Sequence, residues 1–245
     1  MTEQNFLQFL TPNLRKIGLK ISEATLSQLD AFCRNMVSDP LYPSVSKISS
    51  PEEIATKHIL DSLVPVSLPL PCWKGSGGIM DIGTGAGFPS IPLSIIMPDR
   101  KIIAVDSKGK AIDFVQRMKE QNALGNLFPT LARAEELGHS SDYREKMDLV
   151  VSRAVASVRI LLELCLPLVK IGGYALFYKG PKLEGEIKEA ANAMKVLGLS
   201  RNQISIFECH PPLLPFSRGF VCIHKLSAVP KKYPRENGIP ATKPL

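Results

Sequence analysis

The chain has 245 residues, 44% of them apolar, and a formal net charge of +7, which fits one large domain or one domain with an extension. The 22% of charged residues argue against intrinsic disorder, and the absence of any run of about 18 apolar residues predicts no transmembrane helix. The start of the chain lacks the pattern of a secretion signal. Five scattered cysteines without metal-ligand spacing predict a reduced, cytoplasmic protein with no metal site.

Residues 1–74 are predicted to form an N-terminal helical extension. Ser22 suits the N-cap of a helix whose apolar residues recur at helical spacing as far as Met36. Pro51 and the two acids after it begin a second predicted helix, because proline suits the first turn and carboxylates favour the positive end of the helix dipole. His58 lies on this helix. Packing explains a lone histidine more simply than catalysis does, but His58 remains a candidate substrate-facing residue.

A glycine-rich turn between a short strand and a helix is the most informative segment. Residues Asp81 to Phe88 read Asp-Ile-Gly-Thr-Gly-Ala-Gly-Phe, with glycines at Gly83, Gly85 and Gly87. Glycine lets the backbone turn tightly and approach a ligand. The spacing differs from the G-x-G-x-x-G of dinucleotide-binding proteins, and the Asp81 carboxylate suits a cationic group better than a pyrophosphate. The segment resembles the first motif of S-adenosylmethionine-dependent methyltransferases.

The next predicted strand ends in Asp106, roughly 20 residues after the glycine turn, where nucleotide-binding α/β units place the carboxylate that binds ribose hydroxyls. Asp106 also suits the N-cap of the following helix, and the two roles are compatible. Ser107 and Lys108 are candidate cofactor contacts beside it. After the third strand, Glu135 and the backbone of Ala134 are candidates for contact with the adenine.

Strands and helices alternate from Ile79 onward. The predicted strands are Ile79–Ile82, Lys101–Val105, Phe128–Ala132, Asp148–Ser152, Tyr174–Tyr178, Ile204–Cys209 and Phe220–Leu226, and the predicted helices are Pro89–Met97, Lys108–Leu124, Val155–Val169 and Leu183–Leu197. Such alternation implies right-handed crossovers and a mostly parallel sheet. The short loop between the last two strands predicts an antiparallel hairpin.

The predicted fold class is therefore α/β, a Rossmann-like class I methyltransferase fold with seven strands and an antiparallel last strand. This domain spans residues 75–228. Residues 229–245 form a basic, proline-rich C-terminal tail in which the prolines argue against any regular element. Lys231, Lys232 and Arg235 of the tail are predicted to contact the phosphates of a polyanionic partner.

Two cations follow strand ends. Arg153 leaves the fourth strand and is interpreted as a fork that binds the cofactor or a phosphate group, with an ion pair to a neighbouring acid as the alternative. Lys179 follows the fifth strand and is flanked by Gly180 and Pro181, which favours a position facing the substrate.

Seven motifs in order resemble the bacterial small-subunit ribosomal RNA guanine-N7 methyltransferases, also called glucose-inhibited division protein B. They are Lys57 to Leu63, Asp81 to Pro89, Asp106-Ser107 with Lys110, Arg133 to Glu136, Ser152 to Ala154, Lys179-Gly180, and Lys232 to Arg235 with Gly238 and Pro240. The resemblance implies S-adenosylmethionine as cofactor and methylation of N7 of a guanine in the 530 loop of 16S rRNA. It implies 16S rRNA or a small-subunit assembly intermediate as partner, and a monomer is expected. Residues 39–48 depart from the family's pattern.

Guanine N7 carries a lone pair and no proton, so methyl transfer to it needs no general base. The sequence agrees, since no His/Asp or Cys pair follows the predicted strands. Ser152-Arg153-Ala154 stands where adenine-N6 enzymes carry an Asn/Asp-Pro-Pro-aromatic motif. Two alternatives remain open: a non-catalytic RNA-binding protein of ribosome assembly that retains the fold, and a nicotinamide-dependent oxidoreductase, against which the glycine spacing and Asp81 argue.

Overall fold

A seven-stranded sheet forms the centre of the molecule in the computed structural model, which describes residues 6–181, 183–210 and 216–245. The strands are β1 (Ile79–Ile82), β2 (Ile102–Asp106), β3 (Leu127–Leu131), β4 (Met147–Arg153), β5 (Val169–Lys179), β6 (Ile204–Cys209) and β7 (Arg218–His224). Their order is β3-β2-β1-β4-β5-β7-β6, with β7 antiparallel to both β5 and β6. The predicted parallel sheet with an antiparallel last strand is confirmed. Much of the loop of the predicted hairpin, residues 211–215, lies outside the described residues.

Twelve α-helical segments occur in the described residues. They are α1 (Leu7–Lys16), α2 (Glu23–Ser38), α3 (Tyr42–Val45), α4 (Pro51–Glu53), α5 (Asp61–Ser67), α6 (Ser90–Ile96), α7 (Gly109–Gln121), α8 (Ala134–His139), α9 (Val158–Cys165), α10 (Leu183–Glu189), α11 (Ala191–Leu197) and α12 (Ile239–Thr242). Ser22 caps α2 as predicted, with its hydroxyl accepting from the Thr25 amide. Among the described segments, none is both long enough and apolar enough to span a bilayer.

Helices cover both faces of the sheet. Successive strand residues point to opposite faces, so Ile79 and Leu149 pack in one cluster and Met80 and Val150 in the other. The first cluster includes residues of the N-terminal extension together with α6 and α7, whereas the second is covered by α8 to α11. The extension therefore shares one hydrophobic core with the sheet.

Residues Ile54–Leu60 form a π-helical segment between α4 and α5. Ser50 caps the start of the run, because its hydroxyl accepts from the Glu53 amide. π-Helical turns within α-helices often occur at functional sites. Here the π segment carries His58 and is followed directly by Asp61, and both side chains are buried.

Two predicted elements need correction. The single helix expected over Leu183–Leu197 is interrupted at Ala190, whose ψ of 0° leaves the helical region, and neither proline nor glycine marks that break. The tail contains a short helix, α12, which the prolines were expected to prevent. Pro240 lies in its first turn, where proline is tolerated.

Candidate active site

A cavity of about 520 Å³ lies at the carboxyl ends of β1 to β4. Most of the residues predicted to bind a cofactor line it: Gly83, Gly85, Phe88, Asp106, Ser107, Lys108, Ala134, Glu135 and Arg153. His58 also lines this first cavity, whereas Asp81, Gly87 and Lys179 do not. The candidates from four strand ends thus converge as the parallel topology requires.

The three glycines of the turn have positive φ angles but different surroundings. A Cβ on Gly83 would lie 2.3 Å from Val155, and one on Gly87 would lie 2.3 Å from Ile91. Gly85 has a φ of +56°, and a Cβ there would meet no atom within 4 Å. Gly83 and Gly87 therefore allow close packing of the chain, and Gly85 leaves space in the cavity wall.

Asp106 fixes the glycine turn from the end of β2. Its Oδ2 accepts from the Gly85 amide at 2.9 Å, and its Oδ1 accepts from the Lys108 amide at 2.9 Å, just before α7. Each carboxylate oxygen accepts more than one hydrogen bond, so both retain acceptor capacity on the cavity side. The geometry is consistent with the predicted ribose contact, whereas the predicted N-cap role is wrong, because Lys108 is the N-cap residue of α7 and no side chain caps this helix.

Asp81 lies behind the turn and is fully buried. Its Oδ2 accepts from the Ser90 amide at 3.3 Å, while its Oδ1 has no hydrogen-bond partner among the described residues. Burial raises the pKa of Asp81 to about 6, against the opposing effects of the Thr84 and Ser90 hydroxyls and the positive charge of Arg153. Contact between Asp81 and a ligand stays a prediction.

The side chain of Glu135 is occupied by the tail. Its Oε1 accepts from the Gly238 amide at 2.9 Å, and Gly238 and Ala241 both line the first cavity beside Ala134. The predicted adenine contact of Glu135 thus competes with a tail contact, and the backbone of Ala134 is the less encumbered candidate.

A second cavity of about 500 Å³ adjoins the first. It is lined by Ile48, Lys57, His58, Asp61, Arg153, Ala154, Tyr178, Lys179, Gly180, Phe216 and Arg218. Of the residues that the structure describes, only His58, Arg153 and Ala154 line both cavities. Ala154 has a φ of +59°, a sparsely populated conformation for a residue with a Cβ. The junction of the two cavities is thus built from one strained backbone position and two side chains.

His58 stacks on Phe88 with ring centroids 4.2 Å apart. Its Nδ1 lies 3.4 Å from Nη2 of Arg153 and its Nε2 lies 3.1 Å from Oγ of Ser46. Arginine only donates, so Nδ1 accepts and Nε2 carries the proton. Burial and then the charge of Arg153 lower the pKa of His58 to about 3, so the ring is neutral near pH 7.

Asp61 joins two arginines at the second cavity. Its carboxylate accepts from Arg153 at 2.8 Å and from Nε of Arg218 at 2.6 Å. The ion pair that was the alternative for Arg153 is therefore present, and a contact of Arg153 with cofactor or phosphate stays a prediction. Lys179 is held by the Ala156 carbonyl and Glu186 while lining the second cavity.

The sequence analysis did not predict several residues that line the two cavities. Ser46 and Ile48 belong to the segment that departs from the family pattern, and this segment contributes to both cavities. Asp61 lies inside the motif Lys57 to Leu63, so the motif itself was the available signal. Phe216 and Arg218 had no local signal, because the antiparallel pairing of β7 with β5 brings them to the site.

A sequence model of the GidB family, described as rRNA small subunit methyltransferase G, matches residues 29–213. The chain belongs to this family. Proteins named ribosomal RNA small subunit methyltransferase G resemble it over most of their length. That of Desulforamulus reducens is 40% identical over 82% of both chains, and that of Brevibacillus brevis is 37% identical over 100% of both.

Solved structures share the fold at low sequence identity. A putative S-adenosylmethionine-dependent methyltransferase from Methanococcus maripaludis has a TM-score of 0.53 at 15% identity, covering 82% of this chain and 94% of that chain. An S-adenosylmethionine-dependent O-methyltransferase from Thermotoga maritima has a TM-score of 0.52 at 13% identity, covering 80% of this chain and 72% of that chain. This member of the GidB family thus has the class I methyltransferase fold, which it shares with these S-adenosylmethionine-dependent proteins. The open wall at Gly85 and the unpartnered Oδ1 of Asp81 fit a cationic ligand of this kind.

Proposed function

We propose that the protein transfers a methyl group from S-adenosylmethionine to N7 of a guanine in the 530 loop of 16S rRNA. The observation that carries the proposal is the pair of adjoining cavities that share His58, Arg153 and Ala154. The first cavity contains the residues suited to the cofactor, and the second provides room for an acceptor base beside it. The cofactor supplies an activated methyl group, so the protein's task is alignment.

The second cavity suits a nucleotide turned out of its stack. Phe216 and Tyr178 supply aromatic surface, and the Arg218 guanidinium lies 4.6 Å from the Phe216 ring centroid. Lys57 and Arg218 add positive charge at the same cavity. Enzymes that modify a base bind it in such a pocket, between aromatic or apolar side chains, and cations hold the phosphates.

The junction offers no general base near neutral pH. His58 has its Nδ1 lone pair directed at Arg153 and a pKa lowered to about 3, and the Asp61 carboxylate is bound by two guanidinium groups. Removing a proton from a hydroxyl or an exocyclic amine would need such a base. The neutral lone pair of guanine N7 does not, which favours N7 over these acceptors.

Mass mapping of modified nucleotides tests the proposal. Small-subunit RNA from cells that lack this protein should carry an unmodified guanine in the 530 loop, and incubation with the purified protein and labelled S-adenosylmethionine should add one methyl group there. A methyl group on another nucleotide would overturn the target. Binding of RNA without any methyl transfer would favour the non-catalytic assembly protein.

Asp81→Asn should stabilise the protein and weaken cofactor binding. The pKa of Asp81 rises from 3.8 to about 6 on folding, so the folded state binds more protons than the unfolded state. Proton binding by Asp81 therefore stabilises the folded protein at low pH, and this stabilisation is lost as the pH rises through about 6. At pH 7 the asparagine variant should gain roughly 3 kcal/mol in free energy of unfolding, and the gain should vanish toward pH 4. Urea unfolding at both pH values measures this. A variant no more stable than wild type at pH 7 would contradict it.

The same variant should bind S-adenosylmethionine at least ~10-fold more weakly, because the negative charge behind the glycine turn is gone. Wild-type affinity should fall below about pH 6, where Asp81 becomes protonated, and the variant's affinity should not show this fall. Calorimetric titrations from pH 5 to pH 8 compare the two. Parallel pH profiles would show that Asp81 does not act on the cofactor.

Lys231 and Lys232, which were predicted to contact RNA phosphates, are both exposed, as is Lys243. An RNA contact of Arg235 stays a prediction, and its backbone N, Nε and Nη2 all donate to the buried carboxylate of Glu163. Replacing both lysines by alanine should reduce the slope of log K against log salt by about 1.4 to 1.8. Filter binding over a salt series measures the slope, with cofactor affinity as the control. An unchanged slope would mean that the tail lysines do not contact RNA.

A further inference from the structure

The C-terminal tail, residues 229–245, forms part of the wall of the first cavity. Gly238 and Ala241 line this cavity together with Ala134 and Glu135. Ala241 is exposed and belongs to α12, which packs against α9. An exposed residue that also lines a cavity lies at its open side. The tail is thus a component of the site as well as a basic segment.

Buried and charged contacts hold the tail in this position. Glu163 of α9 is 1% exposed and binds Arg235 through both carboxylate oxygens, at 2.8 and 2.7 Å. Such bidentate arginine–carboxylate pairs are among the stronger hydrogen-bonded contacts. Arg144 donates to the carbonyls of Val229 and Tyr233, which fixes the start of the tail.

Helix α8 supplies the contacts nearest the cavity. Glu135 Oε1 accepts from the Gly238 amide at 2.9 Å, and Glu136 Oε1 accepts from Nδ2 of Asn237 at 2.7 Å. Gly138 of the same helix leaves room for Pro234, whose ring lies 2.6 Å from where a Cβ of Gly138 would stand. Successive residues of the tail therefore follow α8 to the rim of the cavity.

We propose that the tail closes the S-adenosylmethionine site beside the end of β3, and that tail docking and cofactor binding stabilise each other. The inference rests on the cofactor assigned to the first cavity. Glu135 is then a positioning residue that acts through Gly238. Coupling between two binding events is reciprocal. A ligand that contacts the docked tail must stabilise the docked position, and displacement of the tail must weaken ligand binding.

A matched pair of tail substitutions tests whether the tail forms a wall of the cofactor site. Ala241→Trp places a large side chain at the open side of the cavity, whereas Lys243→Trp places the same side chain two residues away at an exposed position that does not line it. S-adenosylhomocysteine should bind the first variant at least ~10-fold more weakly and the second within about 2-fold of wild type by calorimetry. Circular dichroism and the melting temperature monitor folding. Equal affinities for both folded variants would overturn the proposal.

Two substitutions of Glu135, one of them conservative, form a second matched pair. Glu135→Gln keeps a carbonyl oxygen for the Gly238 amide, and Glu135→Ala does not. The glutamine variant should retain S-adenosylhomocysteine affinity and the alanine variant should lose it. Equal losses in both would show that the charge of Glu135 acts on the ligand directly and would contradict its role through the tail.

Hydrogen exchange of the unmodified protein measures the coupling without any substitution. S-adenosylhomocysteine should slow exchange of the Gly238, Thr242 and Lys243 amides, which donate within α8–tail and α12 contacts. Exchange in α11 should not change. Unaltered tail exchange at saturating ligand would overturn the coupling. If the wild-type protein does not bind S-adenosylhomocysteine at all, the cofactor assignment fails. This result is distinct from one in which the ligand binds but the tail does not contribute to its site.

Discussion

Gly85→Val should abolish S-adenosylmethionine binding in a protein that still folds. Gly85 has a φ of +56° and open space where its Cβ would stand, on the wall of the first cavity. The valine side chain would occupy space that the ligand needs, and its branched Cβ would strain the turn that the Gly85 amide makes with Asp106. We expect affinity to fall by at least ~100-fold in calorimetric titration.

Gly18→Val is the matched control for backbone strain. Gly18 has a φ of +71°, a Cβ there would also meet no atom within 4 Å, and the residue is exposed and does not line the cavity. Both variants should lose similar stability in thermal unfolding. Only the Gly85 variant should lose cofactor binding. A folded Gly85→Val protein with wild-type affinity would show that the ligand binds elsewhere.

The residues of the proposed cofactor cavity could be predicted from sequence, because they lie at or next to strand ends. Alternating strands and helices dictate a parallel sheet, and parallel strands bring their carboxyl ends to one edge. Asp106, Gly85 and Ala134 therefore met at the first cavity as predicted. Asp81 was predicted in type and position, but its burial behind the turn depends on the packing of the turn against α6, which no local pattern encodes.

The acceptor half could not be predicted in the same way. The second cavity combines Ile48 of the extension, Asp61 after the π-helical segment and Arg218 of the antiparallel strand β7. These residues are distant in sequence, and only tertiary packing joins them. The tail was interpreted from its charge and its prolines. Its proposed function as a wall of the cofactor site rests on contacts with Glu135 and Glu163 that composition does not reveal.

A flat pH profile is expected for the chemical step at saturating cofactor. With the pKa of His58 lowered to about 3, the ring stays neutral over the mildly acidic to mildly basic range. A bound cationic cofactor favours the ionised form of Asp81 and so lowers the pKa of that carboxyl. Single-turnover rates should therefore lack the bell shape of a paired acid and base. A bell-shaped profile near neutral pH would require a base that the junction does not display.

The second large effect concerns the acceptor atom itself. Replacing the target guanine by 7-deazaguanine exchanges N7 for a C–H group and removes the lone pair that attacks the methyl group. The base keeps its size and its Watson–Crick edge, so entry into the second cavity should be preserved. We expect methyl transfer to disappear while RNA affinity changes little. An RNA with 7-deazaguanine at a neighbouring guanine of the same loop is the matched control and should be methylated normally.

Single-turnover transfer of labelled methyl groups to these RNAs therefore tests the acceptor most directly. N7 methylation predicts full transfer to the unmodified RNA and to the control RNA, and none to the RNA with 7-deazaguanine at the target. Equal binding of all three RNAs in the same preparation shows that the loss is chemical. Continued methylation of the 7-deazaguanine target would place the methyl group on another atom and would contradict the proposed reaction.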